Sequence, residues 1–180
     1  NAAYWYLFLE QEFVYVGDAG IVEPSGKTRR KGVDLSIRYQ PLKWLFWNFD
    51  TNFTHARALD EEAGQDYIPL APDFILKSGL NAIHKSGLYG GANVRHIKNR
   101  PANEDNSIVA QGYTVVDLNT GYKWKRLDFG LQIQNLFDTE WNETQFATES
   151  RLQNESSPVE EIHFTPGTPF FIKGVVEFKF

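Results

Sequence analysis

The sequence contains no cysteine and no methionine. The first absence excludes disulfides, thiolate metal sites and cysteine nucleophiles. The second holds even at position 1, so the chain reads as beginning inside a longer product. No apolar run reaches the roughly 18 residues that a membrane-spanning helix needs. No basic segment followed by an apolar one opens the chain, as it would in a secretory signal. A cationic stripe is missing too: 18 Lys and Arg stand against 23 Asp and Glu, a net charge of −5. That balance argues against nucleic acid as a partner, because its phosphates need a basic surface. Helical periodicity is scarce throughout.

Aromatic residues are plentiful instead. Fourteen Phe, eight Tyr and five Trp make up 15% of the 180 residues, too many for a disordered chain. Alternation of period two runs along most of the sequence, the mark of strands whose two faces meet different surroundings. In 32–40, Val33, Leu35, Ile37 and Tyr39 oppose Asp34, Ser36, Arg38 and Gln40. In 45–55, Leu45, Trp47, Phe49 and Phe53 oppose Asn48, Asp50, Asn52 and Thr54. Segments 127–134 and 170–180 repeat the pattern, and 4–16, 74–82, 88–97 and 113–122 follow it less cleanly. In 4–16 the apolar set is Trp5, Leu7, Leu9, Phe13 and Tyr15, with Glu10 and Glu12 opposite. Eight strands of roughly 8–13 residues result, longer than the ~5–6 residues usual in soluble sheets and suited to crossing a bilayer at a tilt. The mean hydropathy of −0.42 does not oppose this, because alternating faces average out.

The connections sort by length. Long ones at 17–30, 59–69, 99–111 and 139–168 alternate with short ones at 41–43, 84–87 and 123–126. An up-and-down membrane barrel has this order, with long loops outside and short turns on the periplasmic side. Trp5, Trp44, Trp47, Trp124, Phe178 and Phe180 fall near the short-turn ends, where amphipathic rings would sit at the headgroups. The expected fold is therefore all-β, with eight antiparallel up-and-down transmembrane barrel strands. The last of them carries Phe170, Ile172, Val176, Phe178 and Phe180 on one face to the final residue.

Asn135-Leu136-Phe137-Asp138, at the end of the penultimate strand, is similar to the NLFD segment of TonB-dependent outer-membrane receptors. The long loop after it, with Glu149-Ser150-Arg151-Leu152, Ile162-His163-Phe164 and Pro166-Gly167-Thr168-Pro169, follows the order of that family's last loop. Upstream, Gly17-Asp18-Ala19-Gly20, Glu23-Pro24-Ser25, Arg29-Arg30, Gly32-Val33-Asp34-Leu35, His55-Ala56-Arg57 and Ile68-Pro69 resemble the same receptors. The resemblance implies that residues 1–180 are the C-terminal part of the receptor barrel, the last eight of about twenty-two strands. The signal peptide, TonB box and plug domain are then absent from this stretch. It further implies a Gram-negative outer-membrane location and active uptake of a scarce nutrient, such as a ferric siderophore or cobalamin. The implied partners are membrane lipid and lipopolysaccharide, the rest of the receptor and, through it, TonB. The terminal aromatic strand resembles the signal read by the barrel assembly machinery.

Polar strand faces would then line a lumen, which makes Glu10, Arg38, Asp50 and Arg95 candidate ligand contacts, beside Glu12, Asn52 and Asp117. Arg29, Arg30, Lys31 and Arg151 are candidate loop contacts for an anionic ligand. The competing readings are interior ion pairing for the first set, and lipopolysaccharide contact or solvation for the second. The acidic run Asp60, Glu61, Glu62 and Asp66 lacks the alternate-residue spacing of a calcium loop and reads as solvated. His55, His84, His96 and His163 are scattered, and no motif positions a nucleophile or base. Catalysis, a metal and a cofactor are therefore not expected. The ligand itself is not specified. Two alternatives stand beside the receptor: a self-standing eight-stranded barrel with a structural or adhesive role, and a soluble ligand-binding barrel of lipocalin type. Exposed-face aromatics and the long 139–168 region disfavour the second.

Overall fold

The computed structural model describes residues 1–16, 21–24 and 26–180, with backbone alone for 14–16 and 21–23. Gly17, Asp18, Ala19, Gly20 and Ser25, quoted above for the resemblance, lie outside the described residues, as does the side chain of Tyr15. The described residues contain strands and turns and no helix. The strands are β1 (Ala2–Leu9), β2 (Phe13–Val16), β3 (Ile21–Pro24), β4 (Thr28–Leu42), β5 (Leu45–Ala58), β6 (Phe74–Ile83) and β7 (Leu88–Ile97). They continue with β8 (Arg100–Pro101), β9 (Val109–Ala110), β10 (Tyr113–Trp124), β11 (Leu127–Gln134), β12 (Asn142–Ser150), β13 (Val159–Pro166) and β14 (Phe171–Phe178).

Eight of them form one antiparallel sheet in the order β1-β4-β5-β6-β7-β10-β11-β14, and the other six pair as hairpins, β2-β3, β8-β9 and β12-β13. The hairpins occupy the long connections, so every one of them sits at the same end of the sheet. Turns close the other end. Leu42 faces Leu45 across Lys43 and Trp44, and Trp124 faces Leu127 across Lys125 and Arg126. Lys125 takes a left-handed φ of 55° to make the second turn. At the β6-β7 turn, Gly87 has φ 97°, and a Cβ there would collide with the Lys123 carbonyl.

Register sorts the residues onto two faces. Paired residues share a side, so Leu35, Thr51 and Leu76 lie in one row, Ile37, Phe49, Ser78, Val94 and Val116 in another, and Tyr39, Trp47, Leu80, Ala92, Leu118, Ile133 and Ile172 in a third. This is the apolar face. Leu80, Leu88, Phe129, Ile172 and Val176 stand exposed on it, a surface that needs a lipid or protein neighbour. Among the described residues no second sheet covers it. The buried apolar residues gather near the loop end instead: Ala56, Ile68, Ala102, Ala110 and Val115. There the 59–73 and 99–111 loops interlock, Tyr67 N donating to Glu104 O at 3.1 Å and Leu70 N to Pro101 O at 2.7 Å.

Four details differ from the sequence reading. The first segment does not run as one strand over 4–16; it breaks at Glu10 and Gln11, between β1 and β2. Within β1 the parity is also the reverse of what its apolar set implied. Trp5 pairs with Gly32 and Leu7 with Arg30, on the polar side, and Tyr4, Tyr6 and Phe8 share the apolar face with Val33, Lys31 and Arg29. Both faces of β1 are apolar in sequence, so alternation alone carries no sign there. Trp5 lies against Gly32, where a Cβ would meet its indole, and so does not belong to a headgroup girdle. The long loops also contain strand pairs that the pattern did not reveal. β12 is Asn-Glu-Thr-Gln-Phe-Ala-Thr-Glu-Ser, and with little of either face buried, nothing selects an alternating sequence.

The sheet is open. β1 and β14 each have a neighbour on one side only. β1 enters opposite Leu35, and β4 runs on to Leu42 past it. Pro41, which lacks an N–H, falls in that stretch of edge.

Candidate functional site

The opposite face carries the charge. Ser36 pairs with Asp50, Asp50 with Lys77, and Lys77 with Arg95, so one row crosses four strands. Asp50 takes both Nη2 contacts of Arg38, at 2.8 and 2.9 Å, and the Ser36 hydroxyl at 2.5 Å. The Arg38 and Asp50 side chains keep 59% and 41% of their surface open, so water screens the pair and it adds little to stability. Arg95 reaches Asp117 at 3.5 Å. Glu12 accepts from the Thr28 hydroxyl at 2.6 Å and pairs with Arg30. Asn52 donates to Asp34. In the next row towards the short turns, Asn48 and Asn93 flank Gly79 between Arg38 at one end and Asp117 at the other. Closer to the turns, Tyr89 covers Gly121 and donates to Asp128 at 2.7 Å.

At the loop end these charges connect to Asn135-Leu136-Phe137-Asp138. Asn135 and Asp138 both have φ of 49°. That left-handed conformation costs most residues 1–2 kcal/mol and is tolerated best by Gly, Asn and Asp, which accounts for the first and last residues of the motif. Asn135 is 1% exposed. Its N–H donates to Asp117 at 2.9 Å, and its amide Nδ2 donates to Thr139 O at 2.9 Å and Thr168 O at 3.1 Å. Its Oδ1 accepts from Thr139 N at 2.9 Å. Asp138 accepts from Phe170 N at 2.9 Å. One side chain thus ties the departure of the 139–168 segment to its return just before β14.

The network closes on itself. Trp141 Nε1 also donates to Thr168 O, at 3.0 Å, and its ring packs tilted against Tyr113, 4.7 Å between centroids. Arg95 lies over the same indole at 5.3 Å. Arg95, Asp117, Asn135, Thr168 and Trp141 therefore form one ring of contacts from the charged row to the hairpin. Gln145, 2% exposed, clamps that hairpin down: it accepts from Gln111 N at 2.9 Å and donates to Gln111 O at 2.8 Å. Beneath lies an open cavity of about 950 Å³, with Trp141 and Phe164 on its wall beside Asp138 and Glu140. In the 99–111 loop, Asp105 accepts from Ser107 Oγ at 2.7 Å and Ser107 N at 2.9 Å. The bonds to Ser107 hold its carboxyl below the usual range.

The residues singled out from the sequence are dispersed. Arg38, Asp50 and Arg95 share the polar face. Glu10 stands exposed at the bend after β1. Arg29 points to the apolar side, between Phe8 and Arg57. Arg151 lies in the exposed β12-β13 connection, its Nε donating to Glu155 O at 2.9 Å. Phe170, Ile172, Val176, Phe178 and Phe180 are all exposed on or beside the edge strand β14. In the acidic run, Asp66 pairs with Arg57 at 3.3 Å and Asp60 accepts from Lys27 N at 3.0 Å. Trp141, Gln145 and Gln111 were not foreseen, because contacts between two long loops leave no periodic trace. The arrangement offers a wide polar wall and an aromatic-lined recess. No nucleophile is set against a base on the polar face among the described residues.

Residues 1–136 match the family model described as TonB dependent receptor-like, beta-barrel. A catecholate siderophore receptor, Fiu, of an Escherichia coli strain is 28% identical over 156 residues, covering 78% of this chain and 20% of its own length. The chain thus spans about a fifth of the curated relatives it matches. Among solved structures, the siderophore receptor PiuA from Acinetobacter baumannii superposes with a TM-score of 0.72 at 14% identity, covering 99% of this chain and 26% of that one. The ferric-catecholate import receptor Fiu from E. coli, in its closed form, gives 0.71 at 21% identity, covering 98% and 24%. These two structures share the fold.

Proposed function

The chain belongs to the TonB-dependent receptor β-barrel family, and from that membership we propose that it forms one section of a larger receptor wall that imports a ferric siderophore. Its place is the Gram-negative outer membrane, and its family is one of transport receptors rather than enzymes. The observation that carries the reading is the open sheet: β1 and β14 keep one edge each without a partner. Unpaired edges do not persist in hydrocarbon, so further strands must flank both. A self-standing eight-stranded barrel would instead join β1 to β14.

On this reading residues 1–180 supply the C-terminal strands, and the plug domain and TonB box lie elsewhere in the protein. The polar face, with Arg38, Asp50 and Arg95, lines the lumen and meets the plug or the passing ligand. The 139–168 hairpin, held by Asn135 and Gln145, roofs the mouth. The apolar face meets lipid, and the β14 face of Ile172, Val176 and Phe178, flanked by Phe170 and Phe180, is what the barrel assembly machinery reads. The substrate class follows the names of the relatives, a catecholate siderophore receptor and a siderophore receptor. The recess under the hairpin, with Trp141 and Phe164, suits an aromatic ligand.

The test is the intact mass of the protein in native outer membranes, detected through the 139–168 loop, coupled to iron-limited growth on a ferric catecholate. The expected result is a species several times heavier than 20.7 kDa whose growth support disappears without TonB. A folded, heat-modifiable species near 20.7 kDa would refute the proposal and leave the self-standing barrel.

A further inference from the structure

Among the described residues two buried side-chain nitrogens have no hydrogen-bond partner, Arg30 Nε and Arg100 Nη1. The two arginines differ in what neutralises them. Arg30 pairs with Glu12. Arg100 is 8% exposed and has neither an ion pair nor a side-chain hydrogen bond to any described residue. It opens β8 opposite Ala110, which is wholly buried. Acids of the surrounding loops are turned elsewhere. Asp66 meets Arg57 at 3.3 Å, Asp73 meets Lys98 at 3.9 Å, and Asp105 accepts from Ser107 at 2.7 Å. Glu104 stands exposed. Burial pulls the Arg100 pKa down, and the Tyr113 side chain is the one group acting against it. A phenol is uncharged at neutral pH, so Tyr113 supplies no counter-charge.

A guanidinium keeps its proton inside a protein. Taken out of water, it is costly to hold unless an anion meets it. Tyr113 lies on the polar face, in the row of Ile97, Ile75 and Asn52, which puts Arg100 on the lumen side of the loop end. Resting on the receptor-wall reading above, we propose that Arg100 is one half of a buried ion pair. The other half is an Asp or Glu carboxylate from a part of the receptor outside residues 1–180, reaching the loop end from the lumen. Permanent burial selects a resident carboxylate over a passing ligand, because a ligand that leaves would strand the cation after every cycle. The chain spans about a fifth of its curated relatives, so most of the receptor's acids lie outside it. The planar fork of an arginine suits a carboxylate in particular. Such a pair locks two loops at once, since Pro101 O accepts from Leu70 N at 2.7 Å and Ala102 N donates to Ile108 O at 2.8 Å.

The test is the structure of the complete receptor, ligand-free and in mild detergent, by electron cryomicroscopy. A carboxylate oxygen from outside residues 1–180 is expected within salt-bridge distance of the Arg100 guanidinium. Water alone, an inorganic anion or an acid of residues 1–180 in that place would overturn the proposal, and none of these outcomes depends on a variant folding. A double-mutant cycle then measures the coupling, read from hydrogen exchange of the Leu70 and Ala102 amides. Arg100→Met strands the carboxylate and should speed that exchange at least about a hundredfold. Arg100→Met together with the amide in place of the partner acid should return it to within about tenfold of wild type. Arg100→Lys should fall between the two. Additive losses would overturn the pair, because a packing role alone predicts them. A large receptor that imports iron but has no outside carboxylate at Arg100 refutes this pair alone. A species near 20.7 kDa refutes the receptor-wall reading, and the pair with it.

Discussion

Replacing Asn135 by alanine tests the account of the motif most directly. The substitution removes three side-chain hydrogen bonds, to Thr139 O, Thr168 O and from Thr139 N, at 2.9, 3.1 and 2.9 Å. At about 1 kcal/mol each they amount to ~3 kcal/mol. Alanine at a φ of 49° adds about 1 kcal/mol of backbone strain. The expected loss is roughly 4 kcal/mol, concentrated where the 139–168 segment leaves and rejoins the sheet. Asn135→Gly relieves the strain and should cost ~1 kcal/mol less than Asn135→Ala. Asn135→Asp keeps the acceptor for Thr139 N but sets a carboxylate against two carbonyls, and should rescue little. The assay is hydrogen exchange of the Thr139 and Phe170 amides in the assembled barrel, with limited proteolysis of the hairpin alongside. Equal loss in Ala and Gly would refute the strain argument. Protection unchanged in Asn135→Ala would refute the role assigned to the side chain.

Gln145→Leu should release the hairpin by about 2–4 kcal/mol, since it leaves both backbone groups of Gln111 unmatched; proteolytic cleavage within 142–166 would rise while the sheet stays intact. Tyr89→Phe should lower stability slightly through loss of the 2.7 Å bond to Asp128, read from the denaturant midpoint, and Gly121→Ala should cost more because the Tyr89 ring occupies the space. Asp50→Asn should leave the denaturant midpoint almost unchanged, because its pair with Arg38 is largely open to water. Asp105 has a folded-state pKa below its unfolded value. Its contribution is therefore present above about pH 4 and lost as pH falls through the lower folded-state value. Exchange protection of the Ser107 amide should fall in that acidic window and lose this pH dependence in Asp105→Asn, which keeps an acceptor oxygen but does not titrate.

The fold was legible because most of its strands carry a two-sided contrast. Val33 to Tyr39 against Asp34 to Gln40 states both the strand and its faces, and so do Leu127 to Ile133 and Phe170 to Phe180. Where the contrast fails, the reading fails with it. Tyr4, Trp5, Tyr6, Leu7, Phe8 and Leu9 are apolar on both sides, so their parity comes only from pairing with β4, where Trp5 fills the space over Gly32. β12 is mostly polar on both sides, and β13 places only Ile162 and Phe164 beside Glu160 on one side, so neither shows a contrast long enough to read as a strand. The motif at Asn135 was visible as a resemblance, but its mechanism required φ, burial and the two carbonyls that its amide joins.

Charge placement follows the same limit, with a sharper consequence. Arg29, Arg30 and Lys31 are interchangeable as a sequence pattern, and a single step of register exchanges their surroundings. At one parity Arg30 neutralises Glu12 on the polar face, while its two neighbours stand among Tyr6, Phe8 and Arg57 on the other side. Had β4 slipped by one residue against β1 and β5, Asp34, Ser36 and Arg38 would face lipid and Val33, Leu35 and Ile37 would face Asp50 and Asn52. Burying those charges in hydrocarbon costs several kcal/mol near the middle of the bilayer and far less near its edge. The pattern at 33–39 therefore fixes the register, and the cations at 29 and 31 take the sides that register leaves them. Their outward direction is tolerable because they lie at the loop end, where the cost of an outward charge is small.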